Sequence, residues 1–393
     1  MKLQCIVCHS EQSHPFSPMC EKCGGLTDIR YDLSEVELAD SDNPYERFFD
    51  LLPVKNPALL PKDIEYTPLV TATRLGKRIG IPRLYLKNET VLPTGTTKFR
   101  MAAVTIPYLY ESEIEHFSTS STGNSCTALA QALNTVPDMR MSIFTGSEFR
   151  RRVNYDSIPR IDHYVLEGGS FVEAGELAGA YAHKHGYTSE QGFFDVGRRE
   201  GLKLAFCEAT DQLDEPIAWY VQAVSSGMGV YGSFKAAHEL LQLGQLEKLP
   251  RLLCVQQESC SPMAKAWRDK ADQIEEKHRV KHPHGIAKAI LRGDPSKAYP
   301  YMRQIVLESK GGFESVSELQ IRDARRLVLE EEGIDICFSS AAAIAGLRKS
   351  AEKGQIAPEE TVVVNLTGRD RIGGYVPDDY HSVIQVDGEW PVP

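Results

Sequence analysis

From about Tyr66 onward, short β-rich runs alternate with longer helical patterns, and this alternation restricts the fold more than any other feature of the chain. Strands separated by helices build a mostly parallel sheet covered by helices, an α/β architecture. The pattern predicts strands over 84–86, 116–120, 141–145, 163–166, 219–224, 252–257 and 362–367. Helices are expected over about 126–134, 171–185, 201–213, 230–243, 262–277, 317–332 and 340–353. At 393 residues the chain is long enough for two or three domains, since a domain usually takes ~100–200 residues. Apolar residues at 42% and charged residues at 25% exclude a disordered or fibrous chain.

Charge narrows the partners. Lys and Arg number 44 against 54 Asp and Glu, a net −10, and an acidic chain repels a phosphate backbone, so a small molecule is expected rather than nucleic acid. No run of 18 apolar residues occurs, and MKLQCIVCHS lacks the apolar core and cleavage site of a signal peptide. A cytoplasmic protein without a membrane partner is the expectation. Nine cysteines, four of them in the first 23 residues, fit metal ligation better than a disulfide framework.

Those four cysteines form the pairs Cys5-x-x-Cys8 and Cys20-x-x-Cys23, separated by the polar loop SEQSHPFSPM and followed by Gly24-Gly25. Two such knuckles, each directing two thiolates at one point, make a closed tetrahedral Zn²⁺ site of structural type, so residues 1–30 read as a zinc ribbon. Four unligated thiols are the alternative. The histidines of HRVKHPHG (278–285) sit with Pro283 and Gly285 in what reads as an exposed loop.

Three junctions between strand and helix are rich in small residues, and in open α/β sheets such junctions bind ligands. The first, Pro93-Thr94-Gly95-Thr96-Thr97-Lys98, ends in a lysine that opens a helical stretch. A lysine at a helix N-terminus beside a buried cleft is disfavoured in its charged form and can act as an amine nucleophile. Taken alone, the segment is read more simply as carrying a surface lysine. The second, Ser120-Ser121-Thr122-Gly123-Asn124-Ser125, opens a helix whose free N–H groups suit a substrate carboxylate, although an N-cap with a glycine turn explains the same residues. The third, Ser225-Ser226-Gly227-Met228-Gly229, lets backbone N–H groups approach phosphate oxygens at a helix N-terminus. It has neither the GxxxxGK[ST] nor the GxGxxG spacing, so it indicates neither a nucleoside triphosphate nor NAD.

In this order, CGGLTDIRYDL, YERFFDLLPV, YTPLV, LYLKNETVLPTGTTKFR, STGNS, SSGMG, ICFSSAAAIAGL and VVVNLTGRD resemble the threonine synthase family of pyridoxal-5'-phosphate (PLP) enzymes over nearly the whole chain. The resemblance implies a two-domain, tryptophan-synthase-β-like PLP fold of type II behind the ribbon. It assigns 31–95 and 216–393 to a larger domain that binds the PLP phosphate, and 96–215 to a smaller one with the lysine and the carboxylate loop. It makes Lys98 the Schiff-base lysine, gives Asn124 a hydrogen bond to the cofactor's phenolic oxygen, and sets Ser225, Ser226, Gly227, Met228 and Gly229 around its phosphate. Thr367 then lies beside the pyridine nitrogen, Ser121, Thr122, Gly123 and Ser125 bind the substrate carboxylate, and a homodimer is implied.

Departures from the family pattern fall on the substrate side. Threonine synthases show a TGSFKDRG-like lysine segment, an Asn-Pro-x-Arg run and a TGxGLK-like close, whereas this chain has TGTTKFRM, Asp195-Val196-Gly197-Arg198 and TGRDR. Arg198 matches the arginine able to hold a substrate phosphate, and a bidentate guanidinium suits that task. A solvated arginine on a helix face is the alternative. VGRREG (196–201), VQAVSSG (221–227) and the stretch from EEGIDICFSS to VVVNL also resemble cysteate synthase. The expected activity is therefore a PLP-dependent β-elimination or replacement on a small amino acid with an O-phospho side chain. Loss of a γ-phosphate with addition of water at Cβ, the threonine synthase reaction, is the second reading, and an inactive zinc-ribbon binding protein the third.

Overall fold

A computed structural model describes residues 1–156, 158–371 and 374–393. Its strands in chain order are β1 (Lys2–Cys5), β2 (Thr27–Arg30), β3 (Leu69–Thr71), β4 (Leu84–Asn88), β5 (His116–Ser120) and β6 (Arg140–Gly146). They continue with β7 (Ile161–Leu166), β8 (Thr188–Ser189), β9 (Trp219–Ala223), β10 (Arg251–Gln257), β11 (Gly312–Val316), β12 (Val362–Leu366) and β13 (His381–Val383). The seven strands expected from the sequence are all present.

The chain divides into two compact units, Met1–Ile64 with Lys98–Gly201 and Arg371–Pro393, and Glu65–Thr97 with Leu202–Asp370. This division differs from the expected one, because residues 31–64 and the C-terminal segment group with the lysine-bearing residues. The reason is local bonding. The Lys55 and Asn56 N–H groups donate to the Glu111 carboxylate at 2.7 Å each, and β13 pairs in parallel with β7.

The larger sheet of the first unit runs β13-β7-β6-β5-β8 and is parallel throughout, beside the antiparallel pair β1-β2; the sheet of the second unit runs β11-β10-β9-β12-β4-β3 with only β3 antiparallel. β9 and β12 are buried along their whole length, as strands covered on both faces must be. Val221, Val362 and Val364 join Leu84, Leu86 and the alanines of the helix Phe338–Glu352 in one core, each large side chain contributing roughly 1.5–3 kcal/mol.

Two expectations need correction. The helix predicted over 262–277 ends at Arg268, and Lys270 takes a left-handed φ of 58° that no helix continues through. His278 is not in an exposed loop; it is buried, with Nε2 3.1 Å from Asp269 Oδ2. The sequence reading also did not name β1, β2, β3, β8, β11, β13 or the helices Pro44–Arg47, Thr73–Ile79 and Tyr299–Glu308; β8 has two residues and β3 and β13 three each.

Candidate active site

In the second unit β9, β12 and β4 are neighbouring parallel strands, so their carboxyl ends open at one edge of one sheet. β9 leads into Ser225–Gly229, β12 into Thr367, and β4 into the segment that ends at Thr97. Gly227 caps the helix Met228–Gln242 in the left-handed region, φ 89°, with no side-chain bond to the first N–H groups. These N–H groups lack intrahelical partners and carry the positive end of the helix dipole. A Cβ on Gly227 would meet Met302 Sδ at 2.3 Å, and one on Gly229 would meet Gln222 Nε2 at 2.6 Å. The left-handed Gly227 and the tight packing at both glycines favour residues without a Cβ, and the helix N-terminus beside them suits a phosphate such as that of PLP. Thr97 N–H donates to the Thr367 carbonyl at 2.9 Å, which ties the residue before Lys98 to the end of β12. Ser340 holds the next residue, accepting from Gly368 N–H at 3.0 Å and donating to its carbonyl at 2.9 Å.

In the first unit β5 lies between β6 and β8, so the loop Ser121–Ser125 after β5 and Glu190 after β8 leave adjacent strands at the same edge. Ser121 Oγ accepts from Gly123 N–H at 2.9 Å and Cys126 N–H at 3.3 Å, which folds the loop and leaves the Asn124 and Ser125 N–H groups at the start of the helix Asn124–Ala132. Cys126 beside it is no nucleophile, because burial pushes its thiol up to about 12.

Lys98 opens the helix Lys98–Glu111. The helix Val196–Asp211 crosses it at very close range, because Cβ atoms on Gly197 and Gly201 would lie 2.8 Å from Thr105 Cα and 2.3 Å from the Arg100 carbonyl oxygen. This approach brings Arg198 within electrostatic range of Lys98. Lys98 keeps some solvent contact, yet protein crowds its amine. Desolvation first and the Arg198 charge second lower its pKa to about 8, against an opposing pull from Glu190.

Arg198 is buried, so it is not a solvated arginine on a helix face. It donates to Glu190, to Ser125 Oγ at 3.3 Å and to Thr119 Oγ1 at 3.4 Å, while its Nε has no partner. Glu190 also accepts from Thr119 Oγ1 at 3.1 Å and Gly192 N–H at 2.7 Å. Asp195 completes the cluster. Its buried carboxyl oxygens lack a well-formed hydrogen bond, and desolvation and Glu190 raise its pKa to about 7, although Arg198, Arg199 and the Arg198 backbone N–H pull the other way. Arg199 and Lys203, the other cations of this stretch, are engaged elsewhere. Arg199 donates to the Thr27 and Phe193 carbonyls at 2.5 Å each, and Lys203 to Glu239 at 2.8 Å.

The sequence reading missed Glu190, Asp195, Ser340 and Arg371. Asp195, Ser340 and Arg371 stood inside quoted motifs, but Glu190 occupies an unremarkable SEQG run and reaches the cluster because β8 pairs with β5.

The ribbon closes as its spacing predicts. Cys5, Cys8, Cys20 and Cys23 bring their sulfurs within 4.8 Å of one another, and Cys5–Cys23 and Cys8–Cys20 are each 3.6 Å apart. A tetrahedral site with Zn–S of about 2.3 Å has edges of about 3.8 Å, so the donor set fits zinc. Val7 and Lys22 N–H donate to Cys5 and Cys20 Sγ at 3.3 Å. Leu3 and Ile29 of the ribbon strands bury against Tyr108 and Val196, on the two helices that carry Lys98 and Arg198. Purified protein is expected to hold about one zinc per chain, and chelation to lower its melting temperature. Full zinc loss with unchanged melting would exclude the structural role.

Fold and site together define an α/β enzyme of PLP fold type II. Residues 60–368 match the family described as "Pyridoxal-phosphate dependent enzyme", and the chain belongs to it, within its threonine synthase group. It is 30% identical to the threonine synthase of Methanosarcina acetivorans over 93% of this chain and 91% of that one. It is 26% identical to the cysteate synthase of Methanospirillum hungatei over 95% and 90%. Among solved structures, the processed form of threonine deaminase isoform 2 from Solanum lycopersicum superposes with a TM-score of 0.63 at 19% identity, covering 85% and 91% of the two chains. Maize serine racemase gives 0.64 at 18% identity, covering 78% and 89%. Among the described residues, no helix is long and apolar enough to cross a membrane.

Proposed function

We propose that this enzyme carries out β-elimination or replacement on a small amino acid whose side chain ends in a phosphate. The observation that supports it is the buried Arg198 guanidinium, with an unpaired Nε, within electrostatic range of the Lys98 amine. PLP, when bound, supplies the electron sink for carbanion chemistry. In this reading Lys98 carries the cofactor, and its amine, once freed, removes the α-proton, a task helped by a pKa already near 8. The helix N-terminus at Ser121–Ser125 holds the substrate carboxylate, and the Ser225–Gly229 backbone holds the cofactor phosphate. Arg198 orients the distal phosphate. Thr367 would hold the pyridine nitrogen of the cofactor, and a hydroxyl there would suit elimination and replacement better than transamination. The working state is a homodimer.

The second reading, γ-elimination of phosphate from O-phosphohomoserine with water added at Cβ, is favoured by the 30% identity to a threonine synthase. Incubation with phosphoserine, phosphohomoserine and O-acetylserine separately, with phosphate or acetate release as the readout, tests both. Phosphate release from phosphoserine alone is expected. Release from phosphohomoserine alone replaces the first reading by the second, and turnover of O-acetylserine alone removes both.

A further inference from the structure

We infer that Arg371 is a positioning residue that fixes the direction in which Asn124 presents its amide. The inference rests on the reading of Asn124 as the donor to the cofactor's phenolic oxygen. All the groups concerned lie in the first unit. Arg371 Nη1 donates to Asn124 Oδ1 at 2.6 Å, Nη2 to the Arg152 carbonyl at 2.6 Å, and Nε to Asn154 Oδ1 at 3.1 Å. A guanidinium has donors and no acceptor, so the asparagine atom facing it must be the carbonyl oxygen. The amide NH₂ is therefore turned away, and both its protons are directed at whatever lies opposite. A hydroxyl or water partner would accept either orientation of the amide. Arginine accepts one.

The clamp is itself held. Gly123 has a φ of 127°, and a Cβ there would lie 2.6 Å from the Arg152 carbonyl oxygen, so the Asn124 loop touches the 152–154 segment backbone to backbone. Arg371 bridges that contact by bonding one side through Asn124 and the other through Arg152 and Asn154. Farther along the same C-terminal segment, Arg150 donates to the Pro377 carbonyl at 3.1 Å and stacks 4.1 Å from the Tyr380 ring centre. Arg371 closes the TGRDR run, one of the places where this chain departs from the pattern it resembles. The departure thus has a structural task, since the guanidinium is spent on Asn124, Arg152 and Asn154.

The test uses the holoprotein in four forms: wild type, Asn124→Ala, Arg371→Met and the double variant. Methionine keeps much of the reach of arginine without its donors. The readouts are the position and pH titration of the cofactor's visible absorbance, the cofactor dissociation constant and the melting temperature. Asn124→Ala is expected to move the band and weaken cofactor binding about tenfold. Arg371→Met is expected to move it in the same direction with a loss of about three- to fivefold, in the range of one hydrogen bond. It should add nothing in the Asn124→Ala background, because there is then no amide to orient. A lowered melting temperature with an unchanged band in Arg371→Met overturns the inference and leaves the reading of Asn124 intact. So does an undiminished effect of Arg371→Met in the double variant. If Asn124→Ala leaves the band in place, the reading of Asn124 falls and takes the inference with it.

Discussion

Replacing Lys98 with alanine is expected to abolish turnover and the visible absorbance of the bound cofactor while leaving the fold intact. A methyl group can neither carry the cofactor nor move a proton, and general base catalysis alone contributes about 10²–10⁴-fold. The fold should survive because Lys98 stands at the start of its helix with some solvent contact. The same amine predicts a pH profile. Only the neutral form attacks an aldehyde, and a pKa lowered to about 8 leaves about one molecule in ten reactive at pH 7. An ordinary lysine leaves about one in three thousand. The rate at which the cofactor-free protein regains visible absorbance should therefore rise with pH and level off above about pH 8. Removing a negative neighbour lowers a cation's pKa, so Glu190→Gln is expected to move this midpoint down. Turnover by Lys98→Ala at the wild-type rate would displace the lysine from its role.

The second large effect concerns Arg198. Because Arg198 and Glu190 are 4% and 3% exposed, removing the arginine alone leaves a buried carboxylate without its counter-charge, a loss of about 3–5 kcal/mol. Arg198→Met is accordingly expected to fold poorly. The informative variant pairs it with Glu190→Gln, which removes both charges, keeps an oxygen for Gly192 N–H and offers an amide NH₂ to the Thr119 hydroxyl. On a phosphorylated substrate, kcat/KM for this double variant should fall by about one to two orders of magnitude, the value of a charge-assisted bond of about 1.5–3 kcal/mol. An O-acetylated substrate has no dianion and should be affected little. Glu190→Gln alone leaves the buried guanidinium without its counter-charge and is expected to lower the melting temperature as well. Equal losses of kcat/KM on the two substrates in the double variant would make Arg198 a structural residue.

The cluster around Arg198 marks a limit of sequence reading. VGRREG and the Lys203 that follows it put three cations at one helix start, and tertiary bonding then separated them: Arg199 goes to the ribbon, Lys203 to Glu239, and Arg198 stays in range of Lys98. Nothing in the sequence distinguishes these three side chains. Their fates depend on which neighbour each helical position faces. That follows from the depth at which Gly197 and Gly201 let one helix sink against another.

Short-range rules determined much of this protein from its sequence. Alternating β and helical runs specified a parallel α/β fold, because hydrophobic periodicity records which face of each element is buried. Paired CxxC knuckles specified the ribbon, because the ligand geometry lies within two tight turns. Small residues after β9 marked a helix start at a left-handed glycine, because a φ of 89° favours a residue without a Cβ. Only the tertiary structure decided that Glu190 neutralises Arg198 and that Arg371 orients Asn124, partners 8 and 247 residues apart in the chain. Glu190 arrives through the pairing of the two-residue β8 with β5, and Arg371 through a C-terminal segment that returns to the first unit. Such contacts follow from strand order and chain return, and neither leaves a periodic trace in the local sequence.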